Sequence, residues 1–252
     1  MSQVPLLRVV NAVKNFGGVR AVHNVSLDLF AGEVLGIIGP NGSGKTTLVN
    51  LITGFIKPSS GQFFYKGKNI TGAPPHKIAH MGLVRTFQMV RPFSNLPAFK
   101  NLIVPLSSSR VGRLAGGAHG DRDTVAIDLL EEVGFERDAN VPYKIAGTLP
   151  HGYIKRLELA RCLALRPELI ILDELFSGLS MAEVASMLPL LEKLRMEGIT
   201  LIMVEHRLKE LFRLANRVMV LNFGQMVAED SSEEIVRNPK VKETYLGKTT
   251  KV

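Results

Sequence analysis

Eight residues, Gly39-Pro40-Asn41-Gly42-Ser43-Gly44-Lys45-Thr46, combine glycines, a lysine and a hydroxyl at a spacing suited to holding phosphate. They fit G-x-x-x-x-G-K-[ST] at every fixed position, with an apolar run before them and a helix-like run after. Glycines let the backbone wrap tightly, so that successive N–H groups face phosphate oxygens. The start of the following helix adds partial positive charge. In such a loop Lys45 neutralises the β- and γ-phosphates and the Thr46 hydroxyl ligates Mg²⁺, with Thr47 continuing the phosphate-binding stretch. A glycine-rich turn with an incidental lysine would share the composition but not the whole motif in its strand-to-helix setting.

A second set of polar residues ends an apolar run. Leu169-Ile170-Ile171-Leu172 leads into Asp173-Glu174. Acids at the carboxyl end of a parallel strand lie beside the crevice where such folds bind ligands. Asp173 would help hold Mg²⁺, and Glu174 would polarise an attacking water. An ordinary strand ending in two solvated charges is the plainer reading of the same residues. Thr200–Val204 is another apolar run, ending in Glu205-His206, and His206 is placed to contact a γ-phosphate or to serve only the fold.

These residues need elements to position them. Leu6–Val10, Val25–Leu29 and Gly61–Tyr65 alternate apolar and polar residues as half-buried strands do, with turns at Gly17-Gly18 and Ala31-Gly32. Val34–Ile38 is continuously apolar, as strands buried in parallel sheets are. Thr46–Thr53 reads as a helix. Asp123–Val133 has helical spacing in Val125, Leu129, Leu130 and Val133. Ser107–Gly120, rich in Ser and Gly, reads as a loop. Strand-like runs return at Leu169–Leu172, Thr200–Val204 and Arg217–Leu221, with helices between. Strands alternating with helices predict a parallel sheet covered on both faces. The expected architecture is α/β: a P-loop core of parallel strands and helices, N-terminal antiparallel strands, and a helical subdomain inserted at about residues 90–160. The tail, 231–252, reads as one or two short helices, with Ser231 and Glu234 spaced as a capping box.

Composition narrows the function classes. The 252 residues are 46% hydrophobic, enough to bury a large core. No apolar run approaches the roughly eighteen residues of a membrane span. Met1–Leu7 lacks the basic and apolar regions of a signal peptide. Cys162 is alone, so no disulfide forms within the chain and a reducing compartment is expected. The net charge of +8 comes without a basic arm or a basic stretch interleaved with aromatics, so no nucleic-acid partner is expected. The six histidines have no metal-ligand spacing.

The order of these motifs, with a helical segment between Lys45 and Asp173, resembles ABC ATPases along nearly the whole chain. The resemblance implies one ABC ATP-binding domain over 1–252, using ATP and Mg²⁺. Within Arg85-Thr86-Phe87-Gln88 it implies that Gln88 touches Mg²⁺ and the permease interface. Leu149-Pro150-His151-Gly152-Tyr153, followed by Lys155-Arg156-Leu157-Glu158-Leu159-Ala160-Arg161, occupies the place of the signature that contacts the partner ATPase's nucleotide. His206 matches the switch histidine, and Phe16 an aromatic that stacks on adenine. Asn15-Phe16-Gly17-Gly18-Val19-Arg20-Ala21, Arg85–Arg91 with Asn101-Leu102, and Asn238-Pro239 with Tyr245-Leu246-Gly247 look like the larger ATPase subunit of branched-chain amino-acid importers, the LivG type. That type implies a sister ATPase, two permease subunits, an external solute-binding protein, and peripheral attachment to the cytoplasmic face of the inner membrane.

The chain departs from the family pattern at the signature, where Pro150, His151 and Tyr153 replace the usual Ser, Gly and Gln. Leu175 stands where proline usually follows the glutamate, and Ser180 where the next loop usually has Asp or Asn. Three alternatives therefore stand beside an importer ATPase: a lipopolysaccharide-export type ATPase, a nucleotide-binding regulatory module with little hydrolysis, and an ABC protein acting on DNA or ribosomes. The absence of paired cassettes and sustained heptads weighs against the last.

Overall fold

The computed structural model describes residues 4–114 and 121–246. The chain divides into two compact units, one from Met1–Ile78 and Arg195–Val252, the other Ala79–Leu194.

In the first unit an antiparallel sheet is built from β1 (Leu7–Phe16), β2 (Val19–Leu29), β4 (Ser60–Tyr65) and β5 (Lys68–Asn69), in the order β2-β1-β4-β5. β1 and β2 run further than the alternation predicts. The register slips between Val9 and Ala12, and Asn11 and Asn24 take positive φ. Such bulges shift side chains to the other face, which breaks the period-two signal while pairing continues. Asn11 accepts from the Ser26 hydroxyl across the pair at 3.0 Å, and its N–H donates to that same hydroxyl at 2.8 Å.

The same unit holds β3 (Val34–Ile38), with β8 (Thr200–Val204) and β9 (Arg217–Asn222) parallel on its two sides. β10 (Gln225–Asp230) pairs antiparallel with β9. Every residue of β3 and β8 is buried, as expected for strands covered on both faces. Helix α1 (Lys45–Ile52) follows β3, and α8 (Leu208–Leu214) follows β8. α8 lies so close to β3 that a Cβ at Gly36 would meet Leu211 Cδ2 at 2.5 Å. The tail forms α9 (Ser232–Arg237) and α10 (Pro239–Leu246). Ser231 caps α9 by accepting the Glu234 N–H at 3.3 Å. Gly247 lies outside the described residues.

The second unit pairs β6 (Leu83–Arg85) in parallel with β7 (Leu169–Asp173) and is otherwise helical. The chain enters it through α2 (Pro75–Met81) and leaves through α7 (Met181–Met196). Between these lie α3 (Ile103–Leu106), α4 (Ser109–Leu114), α5 (Arg122–Glu132) and α6 (His151–Leu163). Asp121 caps α5, accepting the N–H groups of Asp123 and Thr124. The buried stripe of α5 is Ala126 and Leu130, continued by Val133; Val125 faces solvent, one residue off the predicted stripe. The predicted loop over Ser107–Gly120 is wrong for its first half. Residues 109–114 form α4 because Arg110 is buried there, donating to the carbonyls of Leu165 at 2.9 Å and Arg166 at 2.7 Å. Residues 115–120 lie outside the described residues. β6 and β10 have no clear sequence signal, β6 being three residues long and β10 partly exposed.

Candidate functional site

The phosphate loop belongs to the first unit. β3 ends at Ile38, and the chain turns through Gly39–Gly44 into α1. Gly44 is the N-cap of α1 with φ +102, a conformation that favours glycine. A Cβ there would strike the Ala21 carbonyl, and one at Gly39 would strike the Leu221 carbonyl. At these two positions the loop is pressed against its neighbours with no room for a side chain, while Gly42 lies in the open. Lys45 is buried and closes the loop on itself, its Nζ donating to Gly39 O at 2.8 Å and Pro40 O at 3.0 Å. The turn between β9 and β10 braces it from outside through Gly224 N–H to Ser43 O, 3.0 Å. Thr46 is exposed and Thr47 half-buried at the start of the helix.

One polar atom in this loop fits an anion. The Ser43 hydroxyl is buried and has no hydrogen-bond partner. A buried hydroxyl without a partner is costly, and a phosphate oxygen would satisfy it. A cavity of about 700 Å³ meets the loop at Pro40–Ser43, walled by Phe223 and by Lys240 and Glu243 of α10. It does not reach Lys45 or Thr46, so it is not where the phosphate chemistry is expected.

Strand pairing brings further predicted residues to this edge. Ile37 of β3 is opposite Val204 of β8, so the phosphate loop and Glu205-His206 leave the sheet side by side. Glu205 is buried and His206 exposed. Phe16, at the end of β1, is half exposed, with Lys14 Nζ 5.1 Å from its ring centroid.

The acidic residues belong to the second unit, where they are held by side chains rather than by glycines. Arg85 of β6 is opposite Ile171 of β7, so Thr86–Gln88 and Asp173-Glu174 emerge together. Arg85 Nη2 donates to Asp173 Oδ2 at 2.5 Å, both groups being buried. The Asp173 N–H donates to Thr86 Oγ1 at 3.1 Å. Burial pushes the Asp173 carboxyl up from its ordinary value, against the opposing pull of the Arg85 charge. Gln88 Nε2 donates to Glu174 Oε2 at 2.6 Å. Glu174 takes φ +51, rare for a residue with a side chain. Lys155, wholly buried on α6, donates to the carbonyls of Gln88 at 3.1 Å and Glu174 at 3.2 Å. Sequence reading placed Gln88, Asp173 and Glu174 but gave Arg85 and Lys155 no role. No clear signal was available for either: Arg85 ends a three-residue strand, and Lys155 stands beside Arg156 in a helix that also carries Glu158 and Arg161.

Leu149–Tyr153 form the entry to α6. Pro150 is the N-cap, and it has neither an N–H nor a side-chain acceptor. His151 Nε2 lies 3.3 Å from Ser177 O. Gly152 packs where a Cβ would strike the Glu183 carboxylate. Tyr153 turns into the unit, donating to Glu136 at 2.5 Å and meeting Phe135 edge-on at 5.1 Å. Pro150 and His151 are the exposed members.

A mononucleotide-type loop with a buried, partnerless hydroxyl, and an acid pair at the end of a buried strand, are what comparison with known proteins can now resolve. Residues 22–177 match the ABC transporter family model. The chain belongs to the ABC transporter family. It is 38% identical over 253 residues to the high-affinity branched-chain amino acid transport ATP-binding protein BraF of Pseudomonas aeruginosa, covering 96% of this chain and 98% of BraF. It is 37% identical to LivG of Escherichia coli, a protein of the same description, covering 98% of this chain and 99% of LivG. A crystal structure of an ATP-binding cassette of an ABC transporter in its ADP conformation superposes with a TM-score of 0.80 at 31% identity, covering 96% of this chain and 99% of that one. The ABC ATPase fold follows: a P-loop core with a mixed sheet, flanking helices and a helical insertion. Among the described residues no group of three or more His, Cys, Asp or Glu could hold a metal ion. Mg²⁺ bound with a nucleotide generally takes oxygens from phosphate and water beside a few protein ligands. The exposed Thr46 hydroxyl of the first unit and, separately, the Asp173 carboxylate of the second are each hard oxygen donors of the kind this ion takes.

Proposed function

We propose that this chain binds and hydrolyses MgATP to power import of branched-chain amino acids or related small polar solutes through a separate permease. The observation that carries the ATPase reading is the phosphate loop closed on Lys45, with the partnerless Ser43 hydroxyl inside it. The loop amides and Lys45 hold the phosphates, and Phe16 stacks on the base. Thr46, Asp173 and Gln88 would hold Mg²⁺, which would supply charge neutralisation at the phosphate oxygens. Glu174 takes up the proton of the attacking water. The Gln88 amide holds the Glu174 carboxylate at 2.6 Å, so for Glu174 to meet the attacking water that bond has to open. His206 contacts the terminal phosphate beside the loop. Leu149–Tyr153 faces the nucleotide of a sister ATPase.

The importer reading draws on the relatives, which span nearly the whole chain and are named for branched-chain amino acid transport. The surface around Gln88 suits a docked partner. Phe87, Met89, Phe93 and Leu96 are exposed on the same connection, an unusual run of large apolar side chains in water. No described helix is long and apolar enough to cross a membrane, in keeping with attachment through permease subunits at the cytoplasmic face. The partners are a sister ATPase, two permeases and, through them, an external binding protein; the chain is read as one ABC domain with a helical subdomain. The test is reconstitution with permease and sister ATPase in vesicles. ATP-dependent uptake of leucine, isoleucine or valine is expected, and ATP hydrolysis without uptake of these or of related polar solutes would overturn the importer reading.

One observation favours a second reading, a nucleotide sensor with little turnover of its own. Pro150 removes one N–H from the helix start that would meet the sister's phosphates. On this reading the chain alone is a poor ATPase, and a sister with a complete signature raises turnover. Robust steady-state hydrolysis by this chain alone, unchanged by the sister, would remove it.

A further inference from the structure

We propose that Lys155 is a positioning residue that locks helix α6 to the backbone of both Gln88 and Glu174, so that the three move as one piece. The inference rests on the reading of Glu174 as the base. A buried ammonium needs acceptors to replace water. Lys155, 1% exposed, finds them in two main-chain carbonyls from separate segments, one following β6 and one following β7. Those are the carbonyls of the two residues whose side chains meet at 2.6 Å. The contacts form a closed ring: Lys155 Nζ to Gln88 O, Gln88 Nε2 to Glu174 Oε2, and Glu174 O back to Lys155 Nζ.

The ring has work to do because of the Glu174 backbone. A residue with a side chain stays in the left-handed region only where its surroundings over-determine it. At φ +51, Glu174 has its carbonyl held by Lys155 and by the Ser177 N–H at 3.1 Å. Fixing that carbonyl fixes the peptide plane, and with it the direction in which the carboxylate leaves the chain. Lys155 lies about one helical turn beyond His151 on the same continuous helix, α6. A displacement of the exposed α6 entry, Pro150 and His151, therefore reaches Gln88 and Glu174 through one side chain. The buried acids Asp173 and Glu158 sit in the same unit and offset the charge of Lys155.

The experiment uses the full-length chain and three variants: Lys155→Met, Lys155→Gln and, as a reference, Glu174→Gln. Three quantities are measured: amide hydrogen exchange at residues 86–89 and 174–178 without nucleotide, MgATP affinity, and single-turnover hydrolysis with chain in excess. For Lys155→Met the expectation is faster exchange in both segments, MgATP affinity within ~2-fold, and hydrolysis slower by ~10-fold or more, the order of a misplaced catalytic group. Lys155→Gln, one atom shorter and uncharged, is expected to show the same changes in smaller measure, and carries the test if Lys155→Met does not fold. Unchanged exchange and turnover in either folded variant, while Glu174→Gln abolishes hydrolysis, would overturn the role of Lys155. Full hydrolysis by Glu174→Gln would instead overturn the reading of the base. A loss that follows MgATP affinity in proportion would also count against positioning.

Discussion

The phosphate loop and the acidic cluster are built by opposite means. The loop is positioned by backbone: glycines packed against the Ala21 and Leu221 carbonyls, a helix start, and one lysine folded back on two loop carbonyls. The acids are positioned by long side chains reaching between segments far apart in sequence, Arg85 to Asp173, Gln88 to Glu174 and Lys155 to both connections. A backbone cradle has few conformations available and presents donors already aimed at an anion. A buried charge network moves only as a whole, because moving one side chain alone leaves its partners uncompensated. On the function proposed above, binding rests on the backbone element, while chemistry rests on the coupled side-chain network.

Four changes would break or sharpen that contrast. Lys45→Ala acts on the side chain of the loop that closes it. MgATP affinity should fall by ~10²-fold or more, from loss of a charge-assisted contact and of loop closure, and turnover should vanish. Near-normal affinity by calorimetry would mean that the backbone alone suffices. Next is Arg85→Met, which leaves the buried Asp173 carboxylate without its cation. Unfolding in urea should show a loss of about 3 kcal/mol or more, the scale for breaking one side of a buried pair. Asp173→Asn in the Arg85→Met background should recover part of it, and a fully additive loss would show that the two are not coupled.

Glu174→Gln keeps the shape and the Gln88 contact but removes the base. Single-turnover hydrolysis should drop by ~10²-fold or more while MgATP still binds, the scale of general-base loss. The smallest effect concerns pH. Burial pushes the Glu158 carboxyl above its ordinary value near 4.5, against the pull of Arg161. Since the folded pKa exceeds the unfolded one, the folded state is favoured at acid pH, and that contribution is lost as pH climbs from about 4.5 through the raised value. Relative to Glu158→Gln, the native chain should lose stability across this window, and parallel stability curves for the two would contradict it.

Local sequence was enough for the loop. G-x-x-x-x-G-K-T between a buried strand and a helix states its own conformation, because glycine and helix-start chemistry act over a few residues. Thr46, Lys45 and the loop glycines lie where they were read, and the apolar runs at Val34–Ile38, Leu169–Leu172 and Thr200–Val204 are buried strands. Local patterning failed where pairing or burial came from afar. β1 and β2 continue past bulges that erase alternation, and α4 forms in a Ser- and Gly-rich stretch because Arg110 reaches the carbonyls of Leu165 and Arg166. The sequence by itself determined the class of fold, the phosphate loop, and the identity of Gln88, Asp173, Glu174 and His206 as candidates. Only the tertiary structure decided that Arg85 holds Asp173, that Gln88 holds Glu174, and that Lys155 binds the main chain of both connections. Those contacts join residues from 19 to 88 positions apart. No local pattern records such a meeting, because it depends on which strands pair and on what the helices between them bury.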